Sequence, residues 1–233
     1  PYRNWCPFCI EAMGRERGHF RDKKAERNYP EYSLDYCFPG DEFGYKWTLL
    51  VGRERMSGTI MATTVPEKGG GHNFTVDKMN EFIKENGDET NVILMKSDQE
   101  SAVRYVVEEV CRRREEGKSV SEESPVGSSP SNGIVERAVQ EIENRVRAIY
   151  LGLQDRLGIK IDARERIIAF IPEYASYLVN RLMVGDDGKV PYERVKGKEP
   201  TVLGIEFGEK VMYRLKKGKK LEKLNSRWAP GIF

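Results

Sequence analysis

A mixed α/β fold, one sheet with helices on its faces, follows from three features of the sequence. Three β-rich runs stand one after another near residues 31–65, a short and nearly continuous apolar run lies at 91–98 between two helical patterns, and long amphipathic stretches follow. The order of three strands, helix, strand, helix, strand and then long helices suits a five-stranded sheet flanked by helices, with a small basic β element at the C-terminus.

Each element has its own signal. "EYSLDYCF" (31–38), "YKWTLLVGRE" (45–54) and "SGTIMATTV" (57–65) are rich in β-branched and aromatic residues and are separated by "PGDEFG" and a short polar break. Three consecutive antiparallel strands are expected. A glycine linker then opens a helix over "GGGHNFTVDKMNEFIKENG", with Phe74, Met79, Phe82 and Ile83 on its apolar side. "NVILMKSD" reads as a strand buried on both faces and ending at Asp98. A second helix over "ESAVRYVVEEVCRRREEG" and a brief strand in "KSVSEES" lead to "PVGSSPSNG", a loop of Ser, Gly and Pro.

Beyond that loop Val135, Val139, Ile142, Val146, Ile149 and Leu153 recur at intervals of 4, 3, 4, 3 and 4, one apolar stripe along a helix. In "ARERIIAFIPEYASYLVNRLM" a second stripe sets Ile167, Ile171, Tyr174, Leu178 and Leu182 on one side, and Pro172 predicts a kink or a late helix start. "FGEKVMYRLKKGKKLEKLNSRWAPGIF" reads as short strands around a basic turn. The chain thus divides into a basic leading segment (1–30), one α/β core (31–185), and a linker with the start of a basic β-rich element (186–233).

Charge is unevenly spread. From Arg194 to Arg227 there are 11 Lys/Arg against 4 Asp/Glu, which leaves 28 against 33 elsewhere. The tail is therefore the candidate polyanion contact, above all at Lys216, Lys217, Lys219 and Lys220, and the acidic body asks for another partner, of which a metal cation is one. Lys96, Arg145 and Arg147 either meet phosphates or form a solvated face. No stretch approaches the ~20 apolar residues that span a membrane, and no membrane partner is expected. The chain opens on Pro1 and stops at "RWAPGIF", so a piece of a longer polypeptide is expected.

Three carboxylates stand out. Asp35 lies inside a strand among Leu34, Tyr36 and Cys37, where an acidic side chain needs a neutralising partner. Asp98 ends another strand, and ligand-binding groups collect at strand ends in open sheets. Glu136 is one position off the apolar stripe, near a helix start. If the first and fourth strands are neighbours, the three converge as oxygen ligands for Mg²⁺ or Mn²⁺. The alternative among 37 acidic residues is ordinary solvated charge.

The residues around these carboxylates carry a resemblance. "LDY" around Asp35, "KSDQESA" around Asp98 and "PSNGIVER" around Glu136, with 37 residues between Asp98 and Glu136, resemble the D,D-35-E motifs of retroelement integrases in the RNase H-like superfamily. They are most similar to those of copia-type LTR retrotransposons. Pro130, Asn132, Gly133, Glu136 and Arg137 match that family's Pro-x-x-Asn-Gly-x-x-Glu-Arg run position by position. "VPYERVKGKEPTV" and "RWAPGIF" resemble segments beyond the core of copia-type proteins, so the likeness spans roughly residues 30–233. It departs at Gln99-Glu100-Ser101, where the family commonly carries other residues.

The resemblance implies an RNase H-like sheet and an integrase that trims DNA ends and joins them to target DNA. It further implies Asp35, Asp98 and Glu136 as ligands of two Mg²⁺ or Mn²⁺ ions and Asn132 and Arg137 as DNA contacts. Double-stranded DNA, a homo-oligomer assembled on it and a nuclear setting follow from the same likeness. Cys6 and Cys9 have zinc-ligand spacing and resemble the last pair of the family's His-His-Cys-Cys module, whose histidines would precede this chain; two unliganded thiols are the alternative. Alternative readings of the whole are an inactive nucleic-acid-binding relative, or another RNase H-like nuclease or transposase.

Overall fold

The structure, a computed structural model, describes residues 29–40, 44–69, 73–114, 118–123, 133–202, 204–215 and 226–233. Cys6, Cys9, Asn132, Lys216, Lys217, Lys219 and Lys220 lie outside the described residues. Five strands form the main sheet: β1 (Glu31–Cys37), β2 (Leu49–Glu54), β3 (Ile60–Thr64), β4 (Ile93–Ser97) and β5 (Ser119–Glu123), in the order β3-β2-β1-β4-β5. The first three pair antiparallel through short connections, whereas β1, β4 and β5 pair parallel. Parallel pairing needs crossovers, supplied by α1 (Asn73–Glu85) and α2 (Ser101–Arg113).

Period-2 alternation sorts the strand residues onto two cores. Tyr32, Leu34, Leu50 and Met95 pack against Met79 and Ile83 of α1 and the valines of α2. On the other face Leu49, Val51, Ile60 and Ala62 meet Ala138 and Ile142 of α3 (Gly133–Leu157) and Ala175 and Val179 of α4 (Ile171–Leu182). The stripe of α3 falls as its spacing requires, with Val135, Ile142 and Leu153 buried.

Three inward faces differ from the sequence expectation. Phe74 is 40% exposed, because a helix beginning at Asn73 turns Thr75, Val76, Met79, Phe82 and Ile83 inward and leaves position 74 off that face. In β4 only Ile93, Met95 and Ser97 are buried, while Leu94 and Lys96 are half-buried, so the strand is not covered on both faces. In α4 the sheet-facing side is Ile171, Pro172, Ala175, Ser176 and Val179, and Leu182 is 54% exposed. Small Ala175 and Ser176 let the helix approach the sheet, and Tyr174 turns aside to pack its ring at a tilt against Phe207, 5.4 Å between centroids. Pro172 marks a late helix start: a 3-10 turn over Arg166–Phe170 precedes Ile171.

The C-terminal part contains α5 (Pro191–Lys196), too short to show a period, ended by Gly197 at φ +66°. A second sheet pairs β6 (Lys210–Arg214) antiparallel with β7 (Trp228–Ile232). It is tied to the core where Arg156 reaches Glu206 Oε2 at 2.9 Å and Phe207 packs with Leu153 and Ile171.

At one residue of the β3 edge a side chain takes the place of a further strand. Asn180 of α4 accepts from the Ile60 N–H at 2.8 Å and donates to the Ile60 carbonyl at 2.7 Å, as a neighbouring strand would. Thr63 Oγ1 donates to Glu173 at 2.9 Å and Thr64 Oγ1 to the Ala169 carbonyl at 2.8 Å along the same edge. Asn180→Ala is expected to lower stability by about 1–3 kcal/mol, since it leaves two half-buried backbone groups without partners. Urea unfolding reads this as a lower midpoint, and an unchanged midpoint would show that packing alone holds α4 on the edge.

Candidate active site

The parallel ladder sets Glu31 opposite Leu94, Tyr32 opposite Met95 and Ser33 opposite Lys96. Continued by two residues, this register brings Asp35 level with Asp98, just beyond the end of β4. Alternation turns Ser33, Asp35 and Cys37, with Leu94, Lys96 and Asp98, toward the face that carries α3 and α4. Those helices lie over β1, β2 and β3. Among the described residues no helix covers the β4–β5 part of this face, where Val120, opposite Leu94, is 45% exposed. The two aspartates therefore stand where covered sheet meets open sheet.

Asp35 is half-buried, and its carboxyl is pushed up to about 6, first by burial and then by the carboxylates of Asp98 and Glu100. The Tyr36 N–H, which donates to Asp35 Oδ1 at 2.7 Å, and the Lys68 ammonium oppose that rise. Asp98 Oδ1 accepts from the Glu100 N–H at 3.1 Å. Lys68 forms an ion pair with Glu100, and its Nζ stands 5.8 Å from the centre of the Tyr36 ring and 5.0 Å from that of Phe38. The Tyr36 hydroxyl accepts from the Gly69 N–H at 3.3 Å, which fastens the strand-to-helix connection beside Lys68. Three carboxylates thus face one lysine. All-oxygen donors with negative charge left over fit a hard divalent cation.

Glu136 is exposed in the first turn of α3. Helical spacing gives it a face in common with Gln140 and Glu143. Glu143 helps push the buried Cys37 thiol up to about 12, after burial itself, so this face of α3 looks toward the end of β1 that carries Asp35. Among the described residues no three His, Cys, Asp or Glu side chains stand close enough together to hold a metal ion. Asp98 and Glu100 gather at Asp35, and Glu136 is not gathered with them. Two of the basic residues are engaged elsewhere: Lys96 pairs with Glu31 at 3.4 Å and Glu122 at 3.6 Å, and Arg145 with Glu141 at 2.7 Å.

No protein-family model matches the sequence, and no curated protein matches it. The solved structures do give likenesses. The chain is similar to the catalytic core domain of the HTLV-2 integrase in complex with magnesium, in a trimeric form, with a TM-score of 0.52 and 17% identity over 71% of this chain and 95% of that one. The fold is that of an integrase catalytic core. The chain is also similar to a chain of the simian T-cell lymphotropic virus intasome in complex with PP2A regulatory subunit B56 gamma, with a TM-score of 0.55 and 16% identity over 97% of this chain and 76% of that one. At such identities the likeness is one of fold.

In this integrase-core fold Asp35 lies in β1, Asp98 just beyond the end of the neighbouring β4, and Glu136 on the helix across the same face. Sequence reasoning missed Lys68 and Glu100. Glu100 was legible only as a departure from the family pattern, and Lys68, in a turn, has no period to reveal it.

The raised Asp35 carboxyl has a consequence for stability. The folded chain keeps this proton up to about pH 6, whereas an ordinary aspartate releases it near 3.8. Ionisation therefore works against the fold, and the contribution of the protonated form is complete below about pH 4 and lost as pH rises through 6. In metal-free buffer Asp35→Asn is expected to raise Tm near pH 7.5 and to lose that advantage near pH 4. A Tm shift equal at both values would show that charge is not its cause.

Proposed function

We propose that this chain is the catalytic part of a retroelement integrase, closest to the copia type, a polynucleotidyl transferase that trims DNA ends and joins them to target DNA in the nucleus. The observation that carries the reading is the alignment of Asp35 with Asp98 at adjacent parallel strand ends, on an open sheet face, under negative charge that Lys68 only partly offsets. Support comes from the integrase-core fold and from the order of the three motifs.

Asp35 and Asp98, joined by Glu136 from the first turn of α3, would hold Mg²⁺ or Mn²⁺. Such a metal supplies, when bound, Lewis-acid stabilisation of the attacking and leaving oxygens of an in-line phosphoryl displacement. The chain's own residues prepare the site. Asp35 and Asp98 are each oriented by a backbone N–H at Oδ1, which leaves Oδ2 for a ligand. Lys68 offsets Glu100, so an approaching phosphodiester meets a less negative mouth. The open β4–β5 face gives a duplex room to approach.

Double-stranded DNA and a homo-oligomer assembled on it belong to the same proposal. Asn132, Arg137 and the lysines Lys216, Lys217, Lys219 and Lys220 would supply backbone contacts, which add salt-dependent affinity without sequence preference. Cys6 and Cys9 enter it as half of a zinc site.

The test is a Mg²⁺ or Mn²⁺ titration with oligonucleotide duplexes, scored for end cleavage and strand joining. Both products are expected from the wild type and only background from Glu136→Gln, with the variant's melting curve intact. Products that persist in Glu136→Gln would move the chemistry elsewhere, and DNA binding without products would mark a non-catalytic relative.

A further inference from the structure

Two arginines on the sheet face of Asp35 make no hydrogen bond or ion pair with the described residues. Leu49, Val51 and Arg53 alternate onto the α3 side of β2; the first two are buried against that helix, and Arg53 takes the third place of the series. It lies opposite Ser33 in the ladder, and Asp35 lies opposite Val51, so Arg53 is on the strand next to Asp35 and two residues along.

The Arg53 guanidinium is half-buried yet makes no hydrogen bond or ion pair with any described residue. Burial first, then the cations of Arg137 in the first turn of α3 and Arg194, hold it below the ordinary arginine value, while the carboxylates of Glu141 and Glu54 oppose that shift. A Cβ added at Gly58 would stand 3.8 Å from Arg53 Nη2 and 3.5 Å from Arg194 Nη1, which puts both guanidinium groups at the β2–β3 turn.

Arg194 is satisfied: it donates to Asp187 Oδ2 and to the Ser57 and Lys189 carbonyls, at 2.9, 2.8 and 2.8 Å. Arg137, like Arg53, makes no such contact with a described residue. The nearby acids are engaged. Glu54 accepts from the Met56 and Ser57 N–H groups and from Ser57 Oγ at 2.9, 2.6 and 2.7 Å, and Glu141 pairs with Arg145. Half-burial of an unpaired cation destabilises a fold, and a cation in the first turn of a helix opposes its dipole. Among the described residues only the more distant charges of Glu141 and Glu54 act against that cost at Arg53, and neither makes a hydrogen bond or ion pair with it.

We propose that Arg53 and Arg137 form a clamp for a backbone phosphate of the nucleic-acid strand that leads to the Asp35–Asp98 site. Guanidinium forks match phosphate oxygens bidentately, and a phosphate between the two would cancel their mutual repulsion. The inference rests on the reading of that site as one that acts on DNA. It adds Arg53, which no sequence motif singles out, and pairs it with Arg137.

The experiment follows duplex DNA by fluorescence anisotropy over a KCl series without divalent metal, with thermal melts of the same samples, for the wild type, Arg53→Met, Arg53→Lys and Arg137→Gln. Arg53→Met is expected to bind about tenfold more weakly, with the slope of log Kd against log salt reduced by about 0.9, and to melt no lower than the wild type. Arg137→Gln should lose a similar share of the slope, and Arg53→Lys should keep the wild-type slope with lower affinity, since it retains the charge without the fork. A lowered Tm with unchanged affinity and slope overturns the clamp, for Arg53 would then serve packing alone. So does weaker binding at an unchanged slope, or an Arg53→Lys slope no better than that of Arg53→Met. If the wild type shows the clamp signature yet Mg²⁺ yields no cleavage, the integrase reading fails and the clamp stands.

Discussion

The parallel pairing of β1 with β4 is the constraint on which the rest of the molecule depends. It joins segments about sixty residues apart, with no short turn to fix the register, so the register comes from burial. Tyr32 and Met95 must face α1 and α2, and a slip by one residue would turn every β4 side chain to the opposite face. Once the apolar series is satisfied, Asp35 and Asp98 have no choice but to share a face and a level. The acidic site is thus a by-product of core packing on the other side of the sheet.

Much of this was legible in the chain. The alternation of β1 and β2, the crossover helices and the α3 stripe are periodic signals written by burial, and burial is what the fold rewards. The face of α4 was misread because Tyr174 and Leu178 suggested a large apolar side, whereas the helix meets the sheet through Ala175, Ser176 and Val179. Close approach favours small side chains, and small side chains carry little hydropathic signal. The coverage of β4 was misread because an apolar run records the residues and not the position of the helices opposite; α3 and α4 lie over β1, β2 and β3 instead.

The functional residues divide along the same line. Asp35 is conspicuous because it breaks an apolar strand, and Arg53 breaks the Leu49, Val51 series in the same way. Lys68 and Glu100 break nothing, since turns tolerate charge, and only the folded chain shows that they meet. One sheet face therefore carries excess acid at the strand ends and excess base one ladder step away. That polarity suits a substrate whose reacting phosphate must lie among carboxylates while its neighbours are held by arginine.

The Asn180 amide makes the main sheet asymmetric at its two rims. At Ile60 the β3 rim already has both backbone groups occupied, so a strand added there would have to displace the amide, whereas β5 is the other outer strand among the described residues. Glu122 and Glu123 place charge on that outer strand instead. A single amide thus guards one place on an outer strand, and its removal would expose there the pair of backbone groups that strand addition requires.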